Sequence, residues 1–257
     1  MTVVAVLVDP PRDGLVLPDL PAETPLSAAE ATRLYEAMVS DLLLAVAESG
    51  GDLLVNYRSD DQLPDEHVPA GADAEAEVRA LVADVLDDDQ LEDVRVEVQV
   101  GSSRSARVGN TVTHLLETEG VQSAAVLEPD APTLLRKDVD SAAMKLRRSE
   151  VVLGPADDGD IYFAGFTEPV DFENALSAPA LENLNARAVD AGHDVDFLPG
   201  RRRVESAGAL RTLVSELRAR RAASRLVPAY TTALVEDLGL RVEGGDGDSS
   251  EPTLTLE

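Results

Sequence analysis

A short apolar segment stopped by two prolines constrains the fold more than any other stretch of this sequence. Residues 121–127, Val-Gln-Ser-Ala-Ala-Val-Leu, are uniform enough to form a strand buried on both faces of a parallel sheet. The strand must end at residues 128–132, Glu-Pro-Asp-Ala-Pro, because proline interrupts both strand ladders and helices. Open α/β sheets bind ligands at the carboxyl ends of their strands, so Glu128 and Asp130 are candidates for a functional site.

A second acidic turn follows the next apolar run. Residues 151–153 are Val-Val-Leu, and residues 154–160 read Gly-Pro-Ala-Asp-Asp-Gly-Asp before the apolar stretch 161–166. Glycine, proline and aspartate are typical of tight turns. We expect the two acidic turns to lie near one edge of the sheet, where together they would form a site.

Strand-like and helix-like segments alternate along almost the whole chain. Residues 2–8 form a β-branched apolar run, and Ser27 and Glu30 form a capping box before a helix with one apolar face. The valines of residues 94–100 alternate with polar residues, which predicts a half-exposed strand near an edge. This order predicts an α/β fold, a three-layer sandwich with a mainly parallel sheet. We expect one domain over residues 1–243, rather than two small ones, and an acidic disordered tail over residues 244–257.

The formal net charge of −27 needs an explanation of its own. Only Lys137 and Lys145 are lysines among 22 basic residues. Excess acid with little lysine is expected of a halophilic protein, because concentrated salt screens self-repulsion beyond about 3 Å at 1 M. An acidic surface made for a basic partner is the alternative. Either way, nucleic-acid binding is disfavoured, because no basic face is visible.

Several chemistries are excluded by composition. The chain has no cysteine, so it offers no thiolate nucleophile, disulfide or Cys-based metal site. Its three histidines show no ligand spacing, and His114 fits a structural role beside apolar neighbours. No apolar run is long enough for a membrane span and no signal segment is visible, so we expect a cytoplasmic protein without a membrane partner. The oligomeric state is left open.

One candidate constellation is acidic and consists of residues predicted in loops that follow or flank strands: Glu128, Asp130, Asp157, Asp158 and Glu205. Mg²⁺ or Mn²⁺ needs only one or two protein carboxylates when substrate phosphates supply the other oxygens. For Asp130, metal or ligand binding and turn capping are both open. For Glu128, a surface role is favoured.

The second candidate constellation is basic. Arg104 and Arg107 enter a helix, where free amides and the helix dipole favour an anion such as phosphate. The alternative is ion pairing with nearby acids, and the same two interpretations apply to the Arg-Arg-Arg run at residues 201–203. The chain has no nucleophile elbow, no phosphate-binding P-loop and no Rossmann fingerprint, which argues against an ordinary ATPase or dehydrogenase.

Residues 154–159, together with the apolar residues 161–166, carry a family resemblance. The chain resembles the uncharacterised, glycosyltransferase-A-like transferases of the nucleotide-diphospho-sugar transferase fold, which are similar to 2-phospholactate guanylyltransferase. Their pattern is Gly-Pro-Ala-x-Asp-Gly-Gly-Tyr-Tyr-Leu-Ile-Gly-Leu, preceded by a strand ending in a Gly-x-Asp-x-Pro-x-Leu turn. Here that turn is residues 128–134, Glu-Pro-Asp-Ala-Pro-Thr-Leu. The resemblance covers roughly residues 2–217.

The resemblance implies a transferase that uses a nucleotide or sugar nucleotide, Mg²⁺ or Mn²⁺, and a small acceptor. Asp130 would be catalytic and hold the metal, with Glu205 as a second metal ligand. Asp158 would be catalytic on the acceptor side. The implied substrate-binding residues are Arg12, Arg104, Arg107, Gly154 and Gly159.

The sequence also departs from the family pattern. The family's first loop is rich in lysine and arginine, whereas residues 9–20 here retain only Arg12 as a cation. The Gly-Tyr after the Asp-Gly pair is replaced by Asp160-Ile161. We therefore carry two hypotheses: a metal-dependent glycosyl- or nucleotidyl-transferase, and a catalytically silent binding or scaffolding module that keeps the fold.

Overall fold

The structure is a computed structural model that describes residues 1–244 and 252–256. It is an α/β fold of three layers, in which helices cover both faces of a central sheet. The strands are β1 (Thr2–Val8), β2 (Asp52–Tyr57), β3 (Arg95–Val98), β4 (Ser123–Leu127), β5 (Val151–Pro155), β6 (Ile161–Phe166), β7 (Val195–Phe197), β8 (Arg241–Glu243) and β9 (Thr253–Thr255). The α-helices are α1 (Leu20–Glu23), α2 (Ala28–Ala47), α3 (Ala74–Val85), α4 (Asp88–Asp93), α5 (Arg104–Thr113), α6 (Arg136–Lys145), α7 (Ala180–Asp190), α8 (Ala207–Ala222) and α9 (Ala229–Asp237).

The central sheet has seven strands in the order β3-β2-β1-β4-β6-β5-β7. All neighbouring pairs are parallel except the two that involve β6, which runs antiparallel to β4 and β5. The predicted fold class, a three-layer α/β sandwich with a mainly parallel sheet, is therefore confirmed. The strand predicted to lie near an edge, β3, is the edge strand beside β2.

The apolar runs of the strands fill two cores, one on each face of the sheet. In β1, Val4, Val6 and Val8 face one core with α2, while the alternate residues face the other with α5 and α7. Ser27 caps α2 as predicted: its hydroxyl accepts from the Glu30 amide at 3.2 Å, and the Glu30 carboxylate accepts from the Ser27 amide at 2.7 Å. In the described part of the chain, no helix is long and apolar enough to cross a bilayer.

The C-terminal segment differs from the expectation of a disordered tail. β9 pairs antiparallel with β8, so Thr253–Thr255 is a strand. Residues 245–251 and 257 lie outside the described residues, and the expectation for them stays a prediction. The single-domain assignment over residues 1–243 also stays a prediction.

Candidate functional site

Polar side chains gather at the edge of the sheet where the parallel strands end. Asp9 follows β1, Arg58 follows β2, Gln99 follows β3 and Glu128 follows β4. Because β6 runs antiparallel, its first residues lie at the same edge, and Asp160 precedes them. A cleft of about 540 Å³, called here the strand-end cleft, opens at this edge. It is lined by Leu7, Asp9, Leu15, Val16, Leu17, Pro18, Asp19, Tyr35, Arg58, Gln99, Arg104, Arg107, Glu128, Pro129, Asp130, Asp160, Arg203 and Glu205.

The position of the cleft follows from the topology. The chain passes from β1 outward to β2 and β3, and then returns to place β4 on the other side of β1. Open α/β sheets bind ligands beside such a reversal, because the loops on either side diverge and leave a crevice. The strand-end cleft lies there, and its size suits a small ligand.

Helix α5 brings two arginines to the cleft. The Ser103 hydroxyl caps the helix by accepting from the Ala106 amide at 3.1 Å, so the helix begins at the sheet edge. The Arg104 Nε donates to the Glu128 carboxylate at 2.8 Å, and its Nη1 donates to Asp160 at 2.9 Å. Burial lowers the pKa of Arg104, but the charges of Glu128 and Asp160 and the hydrogen bond to Glu128 together outweigh it, so the pKa is raised overall. Arg104 is therefore a paired cation.

Arg203 joins the remaining acids of the cleft. Its Nε donates to both oxygens of Asp130 at 2.9 Å, and its Nη2 donates to Asp130 at 2.6 Å. The same Nη2 donates to Glu205 at 2.8 Å, and Nη1 donates to Asp160. Arg203 thus bridges three carboxylates, and through Asp160 it is linked to Arg104.

Arg107 differs from the other arginines of the cleft. Arg58 pairs with Asp9 through two nitrogens, whereas no hydrogen bond or ion pair joins the Arg107 side chain to any residue that the structure describes. Burial lowers the pKa of Arg107, and the nearby charge of Arg58 lowers it further. A half-buried cation beside other cations gains most from an anion, so Arg107 is the guanidinium available to a ligand.

The lining of the cleft carries an excess of acid. Six carboxylates face four guanidiniums, which leaves two negative charges in excess when all are ionised. Desolvation within the cleft and the charge on Asp130 raise the pKa of Glu205 to about 7. The cleft therefore favours an anion locally at Arg107, and elsewhere favours a group that brings a cation or donates hydrogen bonds.

A second cavity of about 580 Å³ adjoins the cleft. The two share Arg104, Asp160, Arg203 and Glu205, so the Asp160–Arg203 ion pair forms part of the wall of both. The second cavity is also lined by the turn of residues 157–159 and by the first turn of α8. Asp158 and Gly159 lie in this turn with φ of 56° and 75°, in the left-handed region where glycine is favoured.

The structure brings together most of the predicted site residues. Asp130, Arg104, Arg107 and Glu205 line the strand-end cleft, and Asp158 and Gly159 line the second cavity. The two acidic turns therefore lie at one edge of the sheet. The catalytic, substrate-binding and metal-binding roles assigned to these residues stay predictions.

Two of the predicted substrate-binding residues lie elsewhere. Arg12 does not line the strand-end cleft: it donates to Glu77 at 2.9 Å and to the His67 carbonyl at 2.8 Å, and it also pairs with Asp60. These bonds attach the first loop to α3 and its preceding loop, which is a structural role. Gly154 lies inside β5 against Tyr162, where a Cβ would come within 2.7 Å of the ring. Its position is explained by packing.

Sequence reasoning missed two residues that are central to the site. Asp160 was noted only as a departure from the family pattern, although it joins Arg104 to Arg203. Arg203 was one of three adjacent arginines with nothing to distinguish it. No sequence signal marks this contact: β6 and β5 lie between β4 and β7, and only the structure shows the Val204 amide bonded to the Asp130 carbonyl.

The predicted metal site does not fit the residues as they are arranged. Both oxygens of Asp130 are bound by Arg203, and the guanidinium also bonds Glu205. Within the described ranges, no group of three or more His, Cys, Asp or Glu side chains could hold a metal ion. A divalent cation at Asp130 and Glu205 would have to take the place of Arg203.

A comparison with a solved structure agrees with the fold. The crystal structure of a "putative nucleotide-diphospho-sugar transferase" from Desulfovibrio desulfuricans G20 matches with a TM-score of 0.73 and 21% identity, over 92% of this chain and 94% of that one. A CMP:2-keto-3-deoxy-manno-octonic acid synthetase complexed with CTP matches with a TM-score of 0.48 and 13% identity, over 87% of this chain and 99% of that one. A cytidylyltransferase from Leptospira borgpetersenii matches with a TM-score of 0.49 and 10% identity, over 92% of this chain and 93% of that one.

No curated protein matches the sequence. A family model does match, and it covers both acidic turns and α5. Over residues 67–176 the chain matches the family described as "Uncharacterized protein conserved in bacteria (DUF2064)", and it shares its fold with the Desulfovibrio desulfuricans protein.

Proposed function

We propose that this protein is a transferase that binds a nucleotide or sugar nucleotide in the strand-end cleft. It would transfer a glycosyl or nucleotidyl group to a small acceptor in the second cavity. The observation that carries the proposal is Arg107, a half-buried cation without a described partner, in the first turn of α5 at the sheet reversal. The fold shared with the "putative nucleotide-diphospho-sugar transferase" from Desulfovibrio desulfuricans supports the same assignment.

The residues of the strand-end cleft would bind the donor, and those of the second cavity would bind the acceptor. Arg107 and the first amides of α5 would bind donor phosphate, and Arg104 would hold Glu128 and Asp160 in place. Arg203, bound to Asp130, would present positive charge at the boundary where the group is transferred. Asp158 would shape the acceptor side, and Gly159 would permit its turn. Catalysis would then consist of positioning and charge stabilisation on the leaving phosphate.

The Mg²⁺ or Mn²⁺ predicted from the sequence is not part of this proposal. Asp130 and Glu205 would hold such an ion only if Arg203 left its position. The dependence of binding on divalent cations is therefore a variable of the experiment below. The base and the sugar of the donor are varied in the same experiment.

A silent binding module is the second candidate, and one observation favours it. In the described part of the chain, every arginine that lines the strand-end cleft except Arg107 bonds a carboxylate. Such pairs neutralise the charge that a polyphosphate would need. A module of this kind would keep the cleft but bind no nucleotide.

A thermal-shift panel in molar KCl distinguishes the two candidates. The panel compares wild type, Arg107→Met and Arg79→Met with nucleoside triphosphates and sugar nucleotides, each with EDTA or Mn²⁺. Arg79 is the matched control, because it is an exposed arginine paired with Glu75 on α3 and lines neither cavity. A ligand at 100 times its Kd should stabilise by about 2.7 kcal/mol. We expect a shift in wild type and in Arg79→Met that is reduced in Arg107→Met. No shift with any nucleotide, in a folded protein, would favour the silent module.

A further inference from the structure

The Arg203 guanidinium lies between the two carboxylates that the sequence predicts as metal ligands. Its Nη2 is 2.6 Å from an Asp130 oxygen and 2.8 Å from a Glu205 oxygen, so one nitrogen bridges both residues. The Nε donates hydrogen bonds to both Asp130 oxygens at 2.9 Å, and the Nη1 donates a hydrogen bond to Asp160. A planar guanidinium suits this bidentate arrangement better than an ammonium would.

The surrounding backbone holds this arginine in place. The Val204 amide donates to the Asp130 carbonyl at 2.8 Å, which fixes the next residue against the end of β4. Arg201 donates to the Thr133 carbonyl at 2.7 Å and pairs with Asp138 at 2.7 Å. The loop before α8 is thus tied to the loop after β4 on both sides of Arg203.

Burial makes the pairing strong. The side chain of Arg203 is 11% exposed and that of Asp130 is 10% exposed. Leaving either charge unpaired would carry the full cost of desolvation. A second cation at Asp130 would also be repelled by the guanidinium, because both side chains are buried and solvent screens their charges little.

We propose that Arg203 occupies the one cation position between Asp130 and Glu205, and that a divalent cation binds these two carboxylates only by displacing the guanidinium. The proposal does not rest on nucleotide binding, because it concerns two cations that compete for one pair of carboxylates. It assigns Arg203 as a built-in cation in the place where a metal would be expected. Nucleotide binding by the wild-type protein, if present, then persists in EDTA.

Competition predicts that removal of Arg203 creates a metal site. Mn²⁺ is titrated by electron paramagnetic resonance into wild type, Arg203→Gln, Asp130→Asn and the double variant, in molar KCl to suppress binding to surface carboxylates. We expect Arg203→Gln to bind one Mn²⁺ at least about tenfold more tightly than wild type. The double variant should lose this site. Asp130→Asn alone should leave the weak Mn²⁺ binding of wild type unchanged.

Two controls keep the result interpretable. Circular dichroism establishes that each variant is folded, and Arg203→Lys keeps a positive charge without the planar fork, so it should gain less Mn²⁺ affinity than Arg203→Gln. If Arg203→Gln does not fold, the comparison of wild type with Asp130→Asn still tests the proposal. A tight Mn²⁺ site in wild type that Asp130→Asn removes would overturn it, because the guanidinium would then not compete with the ion. Equal Mn²⁺ affinity in folded wild type and Arg203→Gln would also overturn it. A protein that binds no nucleotide but gains Mn²⁺ in Arg203→Gln would refute the proposed function alone.

Discussion

Gly154 offers a sharp test of the packing beneath the site. An alanine Cβ at this position would lie 2.7 Å from Cζ of Tyr162 and 2.8 Å from Cβ of Phe163, closer than real Cβ atoms approach other atoms. Neither neighbour can withdraw, because Tyr162 is 0% exposed and Phe163 is 1% exposed. The Tyr162 hydroxyl is also held by the Pro199 carbonyl at 2.9 Å. Gly154→Ala must therefore strain the contact between β5 and β6.

The expected cost is that of overpacking a full core, about 1–3 kcal/mol. In a domain of this size each kcal/mol lowers the unfolding midpoint by about 2–4 °C, so the midpoint should fall by roughly 2–12 °C. The assay is urea unfolding in molar KCl, followed by far-ultraviolet circular dichroism, with thermal unfolding in parallel. Gly50→Ala is the matched control, because its nearest neighbour would be a single Asp140 oxygen at 3.8 Å.

The control should change the free energy of unfolding by less than about 0.5 kcal/mol. A Gly154→Ala protein as stable as the control would refute the packing argument. The unfolding midpoint and the nucleotide affinity of Gly154→Ala together distinguish a packing role of this glycine from a substrate-binding role. Lost affinity without lost stability would restore the substrate-binding role that the sequence predicts.

Three further predictions concern buried and paired charges. Asp41→Ala should lower the free energy of unfolding by about 1–3 kcal/mol, because the buried carboxylate accepts from the Tyr230 and Thr231 amides in the first turn of α9 at 2.9 and 2.8 Å; an unchanged urea midpoint would contradict this. Arg12→Met should lower stability by roughly 1.5–3 kcal/mol through its lost bonds to Glu77, yet leave the nucleotide Kd unchanged; a weakened Kd with intact stability would return Arg12 to the site. Glu205 should make stability pH-dependent, because desolvation and Asp130 raise its pKa from 4.5 to about 7 in the folded state. The raised pKa stabilises the fold below pH 4.5, and that contribution is lost as the pH rises through about 7. The thermal midpoint should therefore fall between pH 5 and 8, and less steeply in Glu205→Gln; identical profiles would contradict the assignment.

Much of the fold could be predicted because local patterns and burial agree. The run of residues 2–8 is apolar at every position after Thr2, and β1 is buried on both faces from Val3 onward. The alternating valines of residues 94–100 marked the edge strand β3, and Ser27 and Glu30 marked the start of α2. The antiparallel direction of β6 could not be read in the same way, because apolar content does not encode strand direction.

The site was predictable in position but less so in its contacts. Asp130 and Arg104 were recognised because strand ends and helix starts are local features. Arg203 and Asp160 were not, because their importance arises from pairing between residues 43 positions apart in the chain. Arg12 was assigned to the site by resemblance, whereas its partners belong to the loop before α3 and to α3 itself. In a chain with 49 acidic residues, sequence alone cannot say which acid each arginine will meet.

A crystal structure grown with the nucleotide that gives the largest thermal shift would show whether the strand-end cleft binds the donor. We expect phosphate oxygens within hydrogen-bond distance of the Arg107 guanidinium, beside the first turn of α5. We also expect the Arg203–Asp130 pair to be intact. A nucleotide bound outside the strand-end cleft, or phosphates that leave Arg107 without a contact, would refute the proposed donor site.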